Sequence, residues 1–144
     1  MKIVSSAFEN RQSIPVQYTC KDKGINPPLH FLDIPQNAKS LVLIMDDPDA
    51  PGGDFVHWVI YNMPISVTSI AENSKPAGIE GATSIGKPGY IGPCPPSGTH
   101  RYFFKLYALD TMLTLPVNAD KRIVTTAMND HIVSQAELVG LFSK

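Results

Sequence analysis

Two apolar runs, residues 41–45 and 55–63, are joined by a turn of acids, prolines and glycines, Asp46-Asp47-Pro48-Asp49-Ala50-Pro51-Gly52-Gly53-Asp54. Residues 40–46 are apolar on both faces, the pattern of a central strand covered on two sides, and residues 55–63 read as a second one. Whatever else the chain does, it has to build a sheet around this hairpin. Thirteen prolines and ten glycines are spread through the 144 residues and leave little room for long helices. The remainder therefore reads as short strands and ordered loops.

On a period of two, Leu41, Leu43, Met45 and Asp47 form one row, and Phe55, His57, Val59, Tyr61 and Met63 share a face opposite to Val56, Trp58 and Ile60. Residues 5–8, 14–18, 29–34, 67–70, 101–109 and 138–142 are further expected strands, with Pro15 marking 14–18 as an edge. Asn118 is the expected cap of a helix with an apolar stripe of Ile123, Val124, Ala127 and Met128. Asn129-Asp130 breaks it, and residues 131–137 read as a second helical piece. Residues 73–99 form a long loop, rich in glycine and proline, which Tyr90 and Pro95-Pro96 mark as ordered. Loops of this length are usually functional or disordered. Ala50-Pro51 and Pro95-Pro96 are candidates for cis bonds.

Hydrophobic residues make up 43% of the chain, charged residues 17%, and the net charge is −1. These values describe one globular domain, residues 1–144, and not a disordered chain. Without a Lys/Arg cluster, neither nucleic-acid binding nor a polybasic membrane anchor is expected. No run approaches the ~20 apolar residues of a membrane span. The N-terminus lacks the apolar segment of a secretory signal, so a cytoplasmic location is expected. In a reducing cytosol Cys20 and Cys94, which can form at most one bridge, are expected to stay as buried thiols.

Chemistry concentrates at three places. Asp47, Asp49 and His57 flank the central turn, where a carboxylate can orient an imidazole and favour its charged form. Asp49 reads first as a turn acid, and Asp47, at the end of an apolar row, first as a site residue. His100 opens a strong strand on the row of Tyr102 and Phe104, while Arg101 faces the other way and reads as the partner of an acid across the sheet. The segment Gly89-Tyr90-Ile91-Gly92-Pro93-Cys94-Pro95-Pro96 can bring backbone N–H groups close to an anion, or serve as a rigid turn.

Asp47-Pro48-Asp49-Ala50-Pro51, His57 followed by Val59-Ile60-Tyr61-Asn62-Met63, Gly92-Pro93-Cys94-Pro95-Pro96 and His100-Arg101-Tyr102, in that order, resemble the phosphatidylethanolamine-binding protein family, the group that includes Raf kinase inhibitor protein. Tyr18-Thr19-Cys20, Pro27-Pro28-Leu29 and Glu137-Leu138-Val139-Gly140 resemble its shorter bacterial and archaeal branch. The resemblance covers nearly the whole chain. It implies a mainly β fold of two antiparallel sheets with Greek-key connections and a short helical segment near the C-terminus. It implies a pocket for phosphate-like groups formed by Asp47, Asp49, Ala50, Pro51, His57, Tyr90, Gly92, Pro96, His100 and Tyr102. It also implies a binding or modulating role toward a protein kinase or another signalling partner, and a homodimer.

Three functions follow. The first is a binding module for a small anion or phosphorylated headgroup, with no cofactor and no metal. The second is a hydrolase of an ester or phosphoester, which needs a nucleophile or an activated water. Cys94 is the only thiol near the site, no Gly-x-Ser-x-Gly elbow occurs, and Asp47, His57 and His100 could instead hold a metal, though without the His-x-x-x-His spacing of many zinc sites. The third is a protein-interaction module acting on a kinase or protease.

Overall fold

The computed structural model describes residues 1–144. The strands are β1 (Lys2–Val4), β2 (Gln12–Ser13), β3 (Leu29–Leu32), β4 (Ser40–Asp47), β5 (Phe55–Met63), β6 (Ser69–Ile70), β7 (Ile79–Glu80), β8 (Thr99–Leu109) and β9 (Ile132–Ser143), and the single α-helix, α1, is Lys121–Met128. They form a three-stranded sheet in the order β1-β3-β6 and a six-stranded sheet in the order β2-β9-β8-β4-β5-β7. Every pairing is antiparallel except β2 with β9. After the β4–β5 hairpin the chain visits the small sheet, returns at the edge beside β5, and then crosses to the far side of β4, a Greek-key step.

β4 is buried at all eight positions because both of its faces are covered. Leu41, Leu43 and Met45 join Trp58, Ile60, Tyr102, Phe104 and Leu106 in a core of 19 buried residues, closed on the other side by Ile3, Leu29, Phe31 and Ile70 of the small sheet. On the opposite face Val42 and Ile44 pack with Val59, Tyr61, Val124 and Met128 under α1, in a second cluster of nine. At the end of that row stands Asp46, whose buried Oδ2 accepts from Lys105 (3.0 Å) and Lys121 (2.8 Å).

The hairpin carries a β-bulge. Met45 pairs with Trp58 and Asp46 with Val56, so His57 is the extra residue. A bulge re-aims side chains, and here it breaks strict alternation. Val56 packs toward the α1 face with Val59 and Tyr61, while the His57 ring meets Tyr102 on the inter-sheet side. The expected shared face of His57, Val59 and Tyr61 is therefore corrected. A second irregularity, between Leu41 and Leu43, leaves Asn62 at φ 55° and brings Met63 to the side of Ile60. Asn tolerates that left-handed conformation, and its side chain both donates to Leu113 O (2.7 Å) and accepts from Leu113 N (2.8 Å).

Other expectations are also corrected. Residues 14–18 hold a 3-10 turn, Val16–Tyr18, after the strand Gln12–Ser13, because fixed φ at Pro15 suits a helical entry as well as an edge. The first strand is Lys2–Val4, one segment earlier than residues 5–8. The cap of α1 is Asp120, whose side chain accepts from Ile123 N (2.9 Å), while Asn118 turns the chain at φ 60°. Residues 131–137 are not helical. From Ile132 on they belong to β9, paired with β8 almost end to end, and tertiary pairing overrides a weak local preference. No peptide bond is cis, so Pro51 and Pro96 follow trans bonds. Cys20 and Cys94, expected as buried thiols, lie at the surface and are joined by a disulfide with Cα atoms 5.4 Å apart. No helix is long and apolar enough to cross a membrane.

Candidate functional site

Asp47, Ala50, Pro51, His57, Gly92, Pro96, His100 and Tyr102 line one cavity of about 170 Å³, at the end of β4, β5 and β8. Phe55, Ile91, Cys94 and Pro95 complete its wall. Phe55 was legible as a member of the row of His57, and the other three fall inside the glycine- and proline-rich segment already singled out.

Asp49 and Tyr90 are not in the wall. Asp49 forms a two-pronged pair with Arg101: Nε donates to Oδ2 and Nη2 to Oδ1, both at 2.9 Å. Those bonds hold the Asp49 carboxyl down to about 2. Arg101 thus has the cross-sheet acid partner expected for it. Tyr90 stands behind the wall, edge-on to Trp58, and its hydroxyl donates to Tyr18 O (2.8 Å).

The wall segment is fixed from behind. Gly92 lies so close to the Tyr18–Thr19 backbone that a Cβ there would sit 2.9 Å from Tyr18 O, which no side chain tolerates. Cys20 N donates to Pro93 O (3.1 Å), the disulfide joins the same two segments, and Ile91 N donates to His57 O (3.0 Å).

The two imidazoles are held by different partners. His100 Nδ1 donates to Asp47 Oδ2 (2.7 Å), and Asp47 Oδ1 accepts from Asp49 N (2.8 Å). Asp47 therefore orients His100, and not the hairpin partner His57. His57 Nδ1 donates to Ile91 O (2.7 Å). A carbonyl only accepts, so Nδ1 carries the proton and Nε2 is the free nitrogen; the same assignment follows for His100. Burial pushes the His57 imidazole below its ordinary value, against the opposing pull of Ile91 O and of Asp47, Asp46 and Asp54. The Tyr102 ring neighbours both, 5.3 Å from His57 and 6.4 Å from His100 by ring centroids. Its hydroxyl is buried without a hydrogen-bond partner, and burial followed by the charges of Asp47 and Asp49 raises its pKa.

Cys94 contributes a disulfide sulfur and no thiolate. No group of three His, Cys, Asp or Glu side chains is arranged to hold a metal ion.

Fold and cavity together define a β protein of two unequal sheets with a small, histidine-lined cavity at one end of its central hairpin. The model of the phosphatidylethanolamine-binding protein family matches residues 4–143, and the chain belongs to that family. It is 47% identical over 150 residues to a UPF0098 protein of Methanothermobacter thermautotrophicus, covering 100% of this chain and 99% of the relative. A UPF0098 protein of Chlamydia pneumoniae is 44% identical over 149 residues, with the same coverage. Among solved structures, a phosphatidylethanolamine-binding protein homologue from Chlamydia trachomatis superposes with a TM-score of 0.96 at 41% identity, covering 99% of this chain and 97% of that one. Escherichia coli YbcL, a member of the mammalian PEBP family, does so with a TM-score of 0.91 at 26% identity, covering 99% and 98%.

Proposed function

We propose that the cavity receives a small phosphate-like anion, free or as a phosphorylated headgroup, and that the protein works as a binder. The observation that carries this reading is the Tyr102 hydroxyl, a buried donor in the cavity wall with no acceptor inside the chain. Leaving such a group unpaired costs about 1–3 kcal/mol, and a ligand oxygen removes that cost. The free Nε2 atoms of His57 and His100 complete the polar set. About 170 Å³ is below the ~300–1,000 Å³ of drug-sized sites, and suits one phosphoryl group. At neutral pH His57 is uncharged, so the anion either donates to Nε2 through its own hydroxyl or draws a proton onto the ring.

The competing hydrolase reading needs a nucleophile or an activated water, and Cys94, its candidate thiol, is engaged in the disulfide. Family membership further motivates a protein partner, a kinase or another signalling protein, and a homodimer; light scattering at micromolar concentration tests the dimer. A cytoplasmic location stays within the proposal, and the disulfide sets its test. Acid-quenched cells should yield free thiols if the protein resides in a reducing cytosol, and a bridged pair if the compartment is oxidising.

Calorimetric titration tests the binding function. Phosphate and O-phosphoethanolamine should bind with millimolar or tighter affinity, and His100→Ala should abolish the heat. An unchanged isotherm in His100→Ala would remove the cavity from the proposal.

A further inference from the structure

A larger concavity, about 760 Å³, lies on the other side of the sheet, between α1 and the turn at residues 82–86. We propose that it is a second small-molecule site, for a polyhydroxylated molecule carrying one anionic group, such as a sugar phosphate or a sugar acid.

The chemistry of the lining carries this. Several of its polar groups are already committed: Asp120 caps the helix, Lys121 is shared between Asp46 and Asp54, Thr83 donates to Lys87 O and Thr126 to Arg122 O. The helix N-terminus is therefore not the anchor. Asn118, Arg122, Thr125 and Asn129 spend no side-chain hydrogen bond inside the chain, and all four line the groove. Lys121 is neutralised by two acids and the Asp120 carboxylate is engaged by the Ile123 backbone N–H, so Arg122 is the one cation of the lining without an acid partner. A guanidinium grips a carboxylate or phosphate with two parallel N–H bonds. Two carboxamides and a hydroxyl can donate and accept at once, as the hydroxyls of a polyol require. Val56 and Ala82, the two hydrophobic members of the lining, offer a surface for a carbon face.

The groove is also preformed, which lowers the cost of binding. Ser84 N donates to Val56 O (3.0 Å), Val56 N donates to Ser84 Oγ (2.7 Å), and Ala82 N donates to Ala119 O (2.9 Å). These bonds lock the turn to β5 on one side and to the start of α1 on the other. Its volume falls within the ~300–1,000 Å³ of sites for ligands of this size. The proposal does not rest on the histidine-lined cavity.

The test is amide NMR of the intact protein titrated separately with ribose 5-phosphate, gluconate, ribose and inorganic phosphate. At least one polyol anion should give saturable shifts at Thr83, Thr125 and Asn129. Ribose or phosphate alone should bind there about tenfold more weakly or worse, and Arg122→Gln should cost the polyol anion about tenfold, one charge-assisted pair. Arg122 is exposed, so the variant folds; Thr125→Val gives an independent second loss. A response to ribose 5-phosphate alone assigns a sugar phosphate, and one to gluconate alone a sugar acid. Absence of saturable groove shifts from both polyol anions overturns the proposal. So do shifts unaltered by Arg122→Gln, ribose or phosphate binding there as tightly as the polyol anion, or shifts confined to the neighbourhood of His100.

Discussion

The disulfide permits a stability prediction with a magnitude. Cys20 and Cys94 are 74 residues apart in sequence, and the bridge closes that stretch into a loop. Cross-linking a loop of this size removes unfolded-state entropy worth about 4.5 kcal/mol at 25 °C. Both cysteines are exposed, so replacing them with alanine opens no internal cavity and the lost constraint dominates. The double variant Cys20→Ala/Cys94→Ala should therefore unfold at lower urea, with a stability about 4 kcal/mol below that of the parent. Its Tm should fall by roughly 10–15 °C, at about 2–4 °C per kcal/mol for a chain of this size. Its m-value should rise slightly, because the uncrosslinked unfolded chain exposes more surface. Phosphate affinity should fall with it, since Cys94 stands in the cavity wall. Urea titrations and thermal melts followed by far-UV circular dichroism, with and without reductant, measure the stability changes, and phosphate calorimetry measures the affinity. A loss under about 1 kcal/mol, or two free thiols in native unreduced protein, would refute the reasoning.

Protonation of His57 has two opposite effects. Its folded-state pKa lies below 6.5, so between that value and 6.5 the unfolded chain binds more protons. Its contribution to stability is complete above pH 6.5 and is lost as pH falls through this window, a slope that His57→Asn should flatten in acid-titrated melts. Phosphate affinity should instead rise as pH drops from 7, by up to about tenfold per unit, because the imidazolium receives the anion, and calorimetry across pH measures it. Tyr102→Phe should weaken phosphate binding while leaving stability level or slightly higher, since it deletes a buried hydroxyl without a partner. Asp49→Asn should cost under about 1 kcal/mol and leave binding within about twofold, because its pair with Arg101 is on the surface, outside the cavity. Gly140→Ala should cost about 1–3 kcal/mol in urea melts, as the new Cβ would lie 2.4 Å from Ile14 Cγ1.

Sequence pattern located the central hairpin, the wall loop and His100 because each rests on a local rule: two-sided apolarity, clustered Gly and Pro, period-two alternation. It failed where one residue of register decides the outcome. His57 reaches the cavity only through the bulge opposite Met45 and Asp46, and period two cannot show a bulge. The acid at Asp47 was legible, but its partner is His100 from a distant strand, and local spacing favoured His57. Residues 131–137 have no strong propensity of their own, and β8 decides their state. The disulfide depends on a distance between two loops, which a separation of 74 residues does not encode. Family resemblance supplied eight of the twelve residues of the cavity wall, while Asp49 and Tyr90, also in its set, support the wall from outside it.

The most direct measurement is imidazole nitrogen NMR of the native protein at mildly acidic pH, titrated with phosphate. The Nε2 signals of His57 and His100 should move together along one saturable curve, while those of His30 and His131, which stand away from the cavity, stay still. If the first pair stays silent at millimolar phosphate, or all four drift alike, the cavity is not an anion receptor.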